Sequence, residues 1–156
     1  MIFAGDIAVP NMKSLPNIDI PSGIKNKNWF ANLEGALTNN HESKQLITQH
    51  IVFNNINAVK EIISEININA FALANNHITD TNSIYETKKT LIEEGIKSVG
   101  AGYDIKDAAK SITINDNGVD IEILNFGWRS INCVEAGEKS EGVNPLNRKN
   151  VISQVK

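Results

Sequence analysis

Three groups of side chains in this chain are of the types that hold hard cations and move protons: Asp6, Glu34 and the run Asn75-Asn76-His77. Each follows an apolar stretch. Asp6 comes after Ile2-Phe3-Ala4-Gly5, Glu34 after the run from Asn28 to Leu33, and the Asn-Asn-His run after Ala70-Phe71-Ala72-Leu73-Ala74. Carboxylate and amide oxygens with one imidazole suit Mn, Mg, Fe or Zn rather than a metal that prefers thiolates. On this reading Asp6, Glu34 and Asn76 are the metal-ligating candidates and His77 the catalytic one. A cation held there would polarise a phosphoryl oxygen and bring the pKa of bound water towards ~7. An imidazole that does not ligate would protonate the leaving group. Asn75 and Arg129 are candidate contacts for a bound anion. The same residues also have plainer readings: an Asp after Gly as a turn, a Glu before Gly as a solvated side chain, Asn75-Asn76 as an Asx-turn and His77 as a cap.

The elements that would position these groups are strands of a parallel sheet. The unbroken run Ala70–Ala74 has no polar residue to mark a solvent face, which predicts a strand buried on both sides. Ile2–Ile7 and Asn28–Leu33 predict two more strands, and Ile96–Gly100 a fourth. Between them Val59, Ile62, Ile63 and Ile66 recur at helical spacing, with Lys60, Glu61 and Glu65 on the other side. A second helix is expected after Ser83 and Glu86, which have capping-box spacing, with Ile84, Leu91 and Ile92 apolar and Gly95 as its stop. This alternation of strand and helix predicts right-handed crossovers. The carboxyl ends of parallel strands share one rim, where ligands of open α/β sheets bind. Asp6, Glu34 and the Asn-Asn-His run should therefore converge.

After Ala109 the period changes. Ile112 and Ile114, the Asn117-Gly118 turn, then Val119, Ile121 and Ile123 predict an antiparallel hairpin that joins the sheet system. Pro145 is expected to open a last helix through Val151, Ile152 and Val155. His41 and His50, in or beside a polar excursion over 39–49, read as surface residues. Gly100-Ala101-Gly102 ahead of Asp104 reads as a turn more readily than as a phosphate cradle. Cys133 has no identifiable base beside it and is not expected to act as a nucleophile.

Composition sets the outer bounds. A chain of 156 residues, 41% hydrophobic and 21% charged, is expected to form one domain over 1–156. A net charge of -3 gives no general reason to expect nucleic acid as a partner. A single cysteine excludes an intrachain disulfide. No stretch approaches the roughly 18 apolar residues that span a bilayer, and the start shows no signal-peptide pattern.

The segments FAGDI, ANLEGALT, ALANNHITD and GIKSVGAGYDIKDAA, in this order and spacing, resemble the N-terminal half of the CapA-type capsule-synthesis family (poly-γ-glutamate, PGA_cap) over roughly Ile2 to Arg129. That family is similar to the calcineurin-like metallophosphoesterases, whose α/β/β/α sandwich carries two metals. The resemblance implies Asp6 and Glu34 as metal ligands, Asn76 as a ligand of the second metal, and His77 as general acid or phosphate contact. Family members continue with His-Trp-Gly and Gly-His-His-Pro-His motifs that this sequence lacks. The expectation is therefore an incomplete sandwich that binds one divalent metal weakly or none, with an unfinished sheet that invites self-association. The function implied is that of a capsule or cell-envelope polymer biosynthesis protein with a metal-dependent phosphoesterase-like site acting on an anionic polymer or phosphate ester. The alternative is a non-catalytic polymer- or anion-binding assembly component, and the plainest reading is an α/β domain whose polar rim merely closes its strands.

Overall fold

The computed structural model describes residues 1–9, 19–38, 51–81 and 84–155. The polar excursion with His41 and His50, and the capping residue Ser83, lie outside the described residues. In chain order the elements are β1 (Ile2–Ile7), α1 (Ser22–Lys25), β2 (Trp29–Leu33), β3 (Ala36–Thr38), β4 (Phe53–Asn55), α2 (Ile56–Glu65) and β5 (Ile68–Ala72). There follow α3 (Ile84–Glu93), β6 (Lys97–Val99), β7 (Ala101–Gly102), α4 (Ile105–Ala108), β8 (Ile112–Asp116), β9 (Val119–Ile123), a 3₁₀ turn (Arg129–Ile131), β10 (Gly142–Val143) and α5 (Arg148–Gln154).

The predicted strands assemble as one four-stranded sheet in the order β1-β2-β5-β6, with every neighbouring pair parallel. Strands that follow one another in this order, all parallel, send right-handed crossovers to a single face. The packing agrees. Helices α2 and α3 contribute Ala58, Val59, Ile62, Ile84 and Leu91 to one core with Ile68, Phe71 and Leu73 of the central strand region. On the opposite face Ala70 and Val99 pack against Ile114 and Ile123 of the hairpin, with Phe30 beside them. The alternation that would send 68, 70 and 72 to one side is broken at Asn69: Trp29 pairs with Ile68 but Phe30 with Ala70, so β5 carries one extra residue there. Among the described residues the result is a mixed α/β fold, with helices on one side of a largely parallel sheet and β structure on the other.

Local chemistry explains the helix boundaries. Asn55 caps α2, its side-chain oxygen accepting from the backbone N–H of Asn57 and Ala58. Val59, Ile62 and Ile66 of the predicted stripe are buried. In α3 Ile84 and Leu91 are buried, but Ile92 is 66% exposed. One residue past Leu91 is a rotation of about 100°, and the stripe is filled instead by Thr87 and Lys88. The last helix starts at Arg148 rather than near Pro145, because Asn147 supplies the cap by accepting from the N–H of Asn150.

The hairpin forms through a left-handed Asn117-Gly118 turn. It makes a two-stranded sheet of its own, packed on the main sheet rather than added to its ladder. Ile112, Ile114, Ile121 and Ile123 face the sheet while Thr113, Asn115, Asp120 and Glu122 face outward, so the hairpin buries its apolar side by lying flat on the sheet. Lys97 Nζ donates to the carbonyl of Thr113 at 2.6 Å, and Asn28 Nδ2 to that of Asn115 at 3.1 Å, which ties it down. Among the described residues no helix is long and apolar enough to cross a membrane.

Candidate functional site

The carboxyl ends of β1, β2 and β5 lie side by side, and the register places Asp6 opposite Asn32. Two residues along a strand face the same way, so Asn32 and Glu34 share a face. The Asn32 amide lies between two carboxylates, its Nδ2 donating to Asp6 Oδ1 at 2.8 Å and to Glu34 Oε2 at 2.6 Å. Asn75 closes the arrangement from β5. Its Nδ2 donates to Asn32 Oδ1 at 3.2 Å and to the Leu33 carbonyl at 2.8 Å, while its Oδ1 accepts from the backbone N–H of Gly35 and of His77. The last of these is the hydrogen bond of an Asx-turn, so the turn itself delivers His77 to the rim.

His77 is held from both sides. Its Nδ1 lies 2.7 Å from Asp80 Oδ2, and its Nε2 lies 3.9 Å from Glu34 Oε1. An ionised carboxylate only accepts, which assigns the Nδ1 proton to the hydrogen bond with Asp80 and leaves Nε2 facing Glu34. Asp80 Oδ2 also accepts from the Val52 N–H at 3.0 Å, joining the strand entry to the imidazole. The backbone around Glu34 is equally fixed. Fully buried Asn54 donates to the carbonyls of Glu34 and Gly35 and accepts from Val9 N–H. Gly35 has φ +85°, and a Cβ there would stand 2.3 Å from the Val52 carbonyl oxygen, so only glycine fits this turn.

The electrostatics are lopsided. Burial pushes the Glu34 carboxyl above its ordinary value; the Asp6 and Asp80 charges add to this, and the Asn32 hydrogen bond and His77 only partly offset it. Asp6 itself is exposed. As hard oxygen donors facing one another across an amide, Asp6 and Glu34 fit a divalent cation in kind. In number the set is short: among the described residues no three His, Cys, Asp or Glu side chains are grouped so as to hold a metal ion.

The other candidates sit differently. Asn76, half-buried in the turn, makes no hydrogen bond to these groups among the described residues, whereas its neighbour Asn75 makes four. Arg129 stands exposed on the 3₁₀ turn and forms no ion pair among the described residues. Gly100-Ala101-Gly102 leads to a four-residue helix already capped by an anion, because Asp104 accepts from the N–H of Asp107. Cys133 is buried, and burial pushes its thiol up, away from nucleophilic thiolate. Two residues of the cluster, Asn32 and Asp80, were not among the sequence candidates. Their signals are a spacing of two from Glu34 on a strand and of three from His77 in a turn.

The sequence profile described as bacterial capsule synthesis protein PGA_cap matches residues 25–155. The chain belongs to that family. The PGA_cap match takes in Asn32, Glu34, Asn75, His77 and Asp80; Asp6 lies ahead of it. No curated protein matches the sequence.

Proposed function

We propose that this capsule synthesis protein uses the rim of β1, β2 and β5 as a metal-dependent, phosphoesterase-like site on an anionic polymer or phosphate ester. The observation that supports it best is the imidazole of His77, held by Asp80 on one nitrogen and facing Glu34 with the other. Three carboxylates around one imidazole make a negative rim, and a negative rim repels an anionic substrate. Asp6 and Glu34 would hold the divalent cation, Mn, Mg, Fe or Zn, that reverses this charge and polarises the ester oxygen when bound. Asp80 keeps the His77 ring in one tautomer and orientation and would stabilise it when protonated, so that Nε2 is the atom that gives or takes a proton. Asn32 and Asn75 hold the two carboxylates and the turn in register.

A second reading, an anion-binding assembly component without turnover, is favoured by the small donor count among the described residues. Calorimetric titration with Mn²⁺, paired with hydrolysis of a chromogenic phosphate ester, separates the two. The enzyme reading expects Mn²⁺ binding that disappears in Asp6→Ala and Glu34→Ala, and turnover that falls at least about 100-fold in His77→Ala. Polymer binding without hydrolysis favours the second reading, and absence of Mn²⁺ binding sinks the first.

A further inference from the structure

The chain leaves β5 for the His77 turn at Ala74, and a side chain from the hairpin's side of the sheet meets it there. Leu73 N–H bonds to the end of β6, donating to the Val99 carbonyl at 2.9 Å. The next donor, the N–H of half-buried Ala74, goes to Asn125 Oδ1 at 2.7 Å. Asn125 follows β9 by two residues, so the hairpin that packs on β5 and β6 also reaches their carboxyl ends. Its side chain fills a space that only glycine leaves open: a Cβ on Gly100, whose φ is +95°, would stand 2.1 Å from Asn125 Oδ1. The backbone of Asn125 is fixed as well. Its carbonyl accepts from Asn144 Nδ2 at 3.1 Å, and Asn144, 1% exposed, donates its own N–H to the Gly100 carbonyl at 2.8 Å.

We propose that Asn125 is a positioning residue for His77, acting through the Ala74 peptide to set the direction in which the turn leaves the sheet. Asn75 anchors that turn from β2, through Asn32 Oδ1 and the Leu33 carbonyl. One anchor fixes a point and leaves the chain free to rotate about it. Asn125 supplies the second, one residue earlier and from a different element. The path between the anchors is closed by Asn75 N–H, which donates to the Leu73 carbonyl at 2.9 Å, and His77 N–H is then passed to Asn75 Oδ1 at 3.1 Å. With both anchors in place the His77 ring meets Asp80 on Nδ1 and Glu34 on Nε2. Misplacing a reacting group by about 1 Å costs ~100-fold in rate, so a hydrogen bond three residues away bears on the chemistry. The plainer role, in which Asn125 only satisfies a covered N–H, predicts a loss of overall stability with no preference for the turn.

That His77 moves a proton rests on the metal-dependent reading. The placement of its ring is measured without metal or substrate, so the two ideas fail separately. Amide hydrogen exchange and imidazole-nitrogen NMR of the whole chain compare Asn125→Ala with Asn125→Asp, which keeps an acceptor at the same place. In the unaltered protein Ala74 N–H should be protected, and the neutral His77 ring should carry its proton on Nδ1. Asn125→Ala should speed exchange at Ala74 and His77 at least about fivefold, the scale of one net hydrogen bond, relative to Val59 and Ile62 of α2, and should mix the two ring tautomers. Asn125→Asp should restore both. Asn125→Leu, which fills much the same space without an acceptor, replaces Asn125→Ala if that variant does not fold. An Ala74 amide that exchanges like an exposed one in the unaltered protein, acceleration spread evenly over α2 and the turn, a His77 tautomer unmoved by loss of the acceptor, or no recovery in Asn125→Asp overturns the proposal.

Discussion

Glu34 and Asp107 are covered to the same degree, their side chains 17% and 16% exposed, yet they titrate in opposite directions. Burial alone would raise both. At Asp107 the hydrogen bonds from Lys88 and Lys110 outweigh it, and the carboxyl falls below its ordinary range. At Glu34 the neighbours are two further carboxylates, an amide and one imidazole, so burial wins. One cluster is electrostatically finished and holds the chain together; the other is left short of positive charge, the condition expected of a site that receives a cation.

The largest effect should come from breaking the finished cluster. Asp107→Ala strands the ammonium of Lys88, 9% exposed as a residue, and should cost about 3 kcal/mol in urea unfolding. Glu34→Gln should do the reverse at neutral pH, stabilising the metal-free protein by up to about 0.5 kcal/mol, the scale of a partly exposed substitution. The two carboxyls also split by pH. The folded pKa of Asp107 is depressed, so its contribution is present above the unfolded value of 3.8 and is lost as pH falls through the folded value. The folded pKa of Glu34 is raised, so its ionisation costs stability as pH rises from the unfolded value of 4.5 through the folded one. The advantage of Glu34→Gln should therefore vanish at acid pH, and unfolding midpoints at pH 4 and pH 7 measure this. The smallest effect is Asp6→Asn, which removes one raising charge and should lower the Glu34 pKa, read by carboxyl-carbon NMR titration, with little change in stability. An unmoved Glu34 titration would mean that Asp6 and Glu34 do not share a field.

The sheet is legible in the sequence because its strands are apolar runs of strand length, and the carboxylates that close those runs share a rim once the strands are parallel. Other features depend on backbone detail that residue types do not carry. Which of Asn75 and Asn76 turns inward is set by the path of the chain as it leaves β5, and that path is fixed by hydrogen bonds to Leu33, Gly35 and Asn32 from another strand. Asn32 is hidden in an apolar stretch, and Asp80 becomes part of the cluster only when the turn brings it to His77. The hairpin shows the same limit. Alternation identifies its apolar face, but its partner, Ala70 and Val99 on the far side of the sheet, follows from the packing.

Asn54 grips residue 34 through its backbone carbonyl, so the turn there is held without the side chain, which bonds to Asn32 on the rim instead. Shape and reactivity at that point are thus inherited separately. A descendant of this sequence could exchange the glutamate for an amide or a thiol, changing or abandoning its chemistry, while the surrounding turn kept its form.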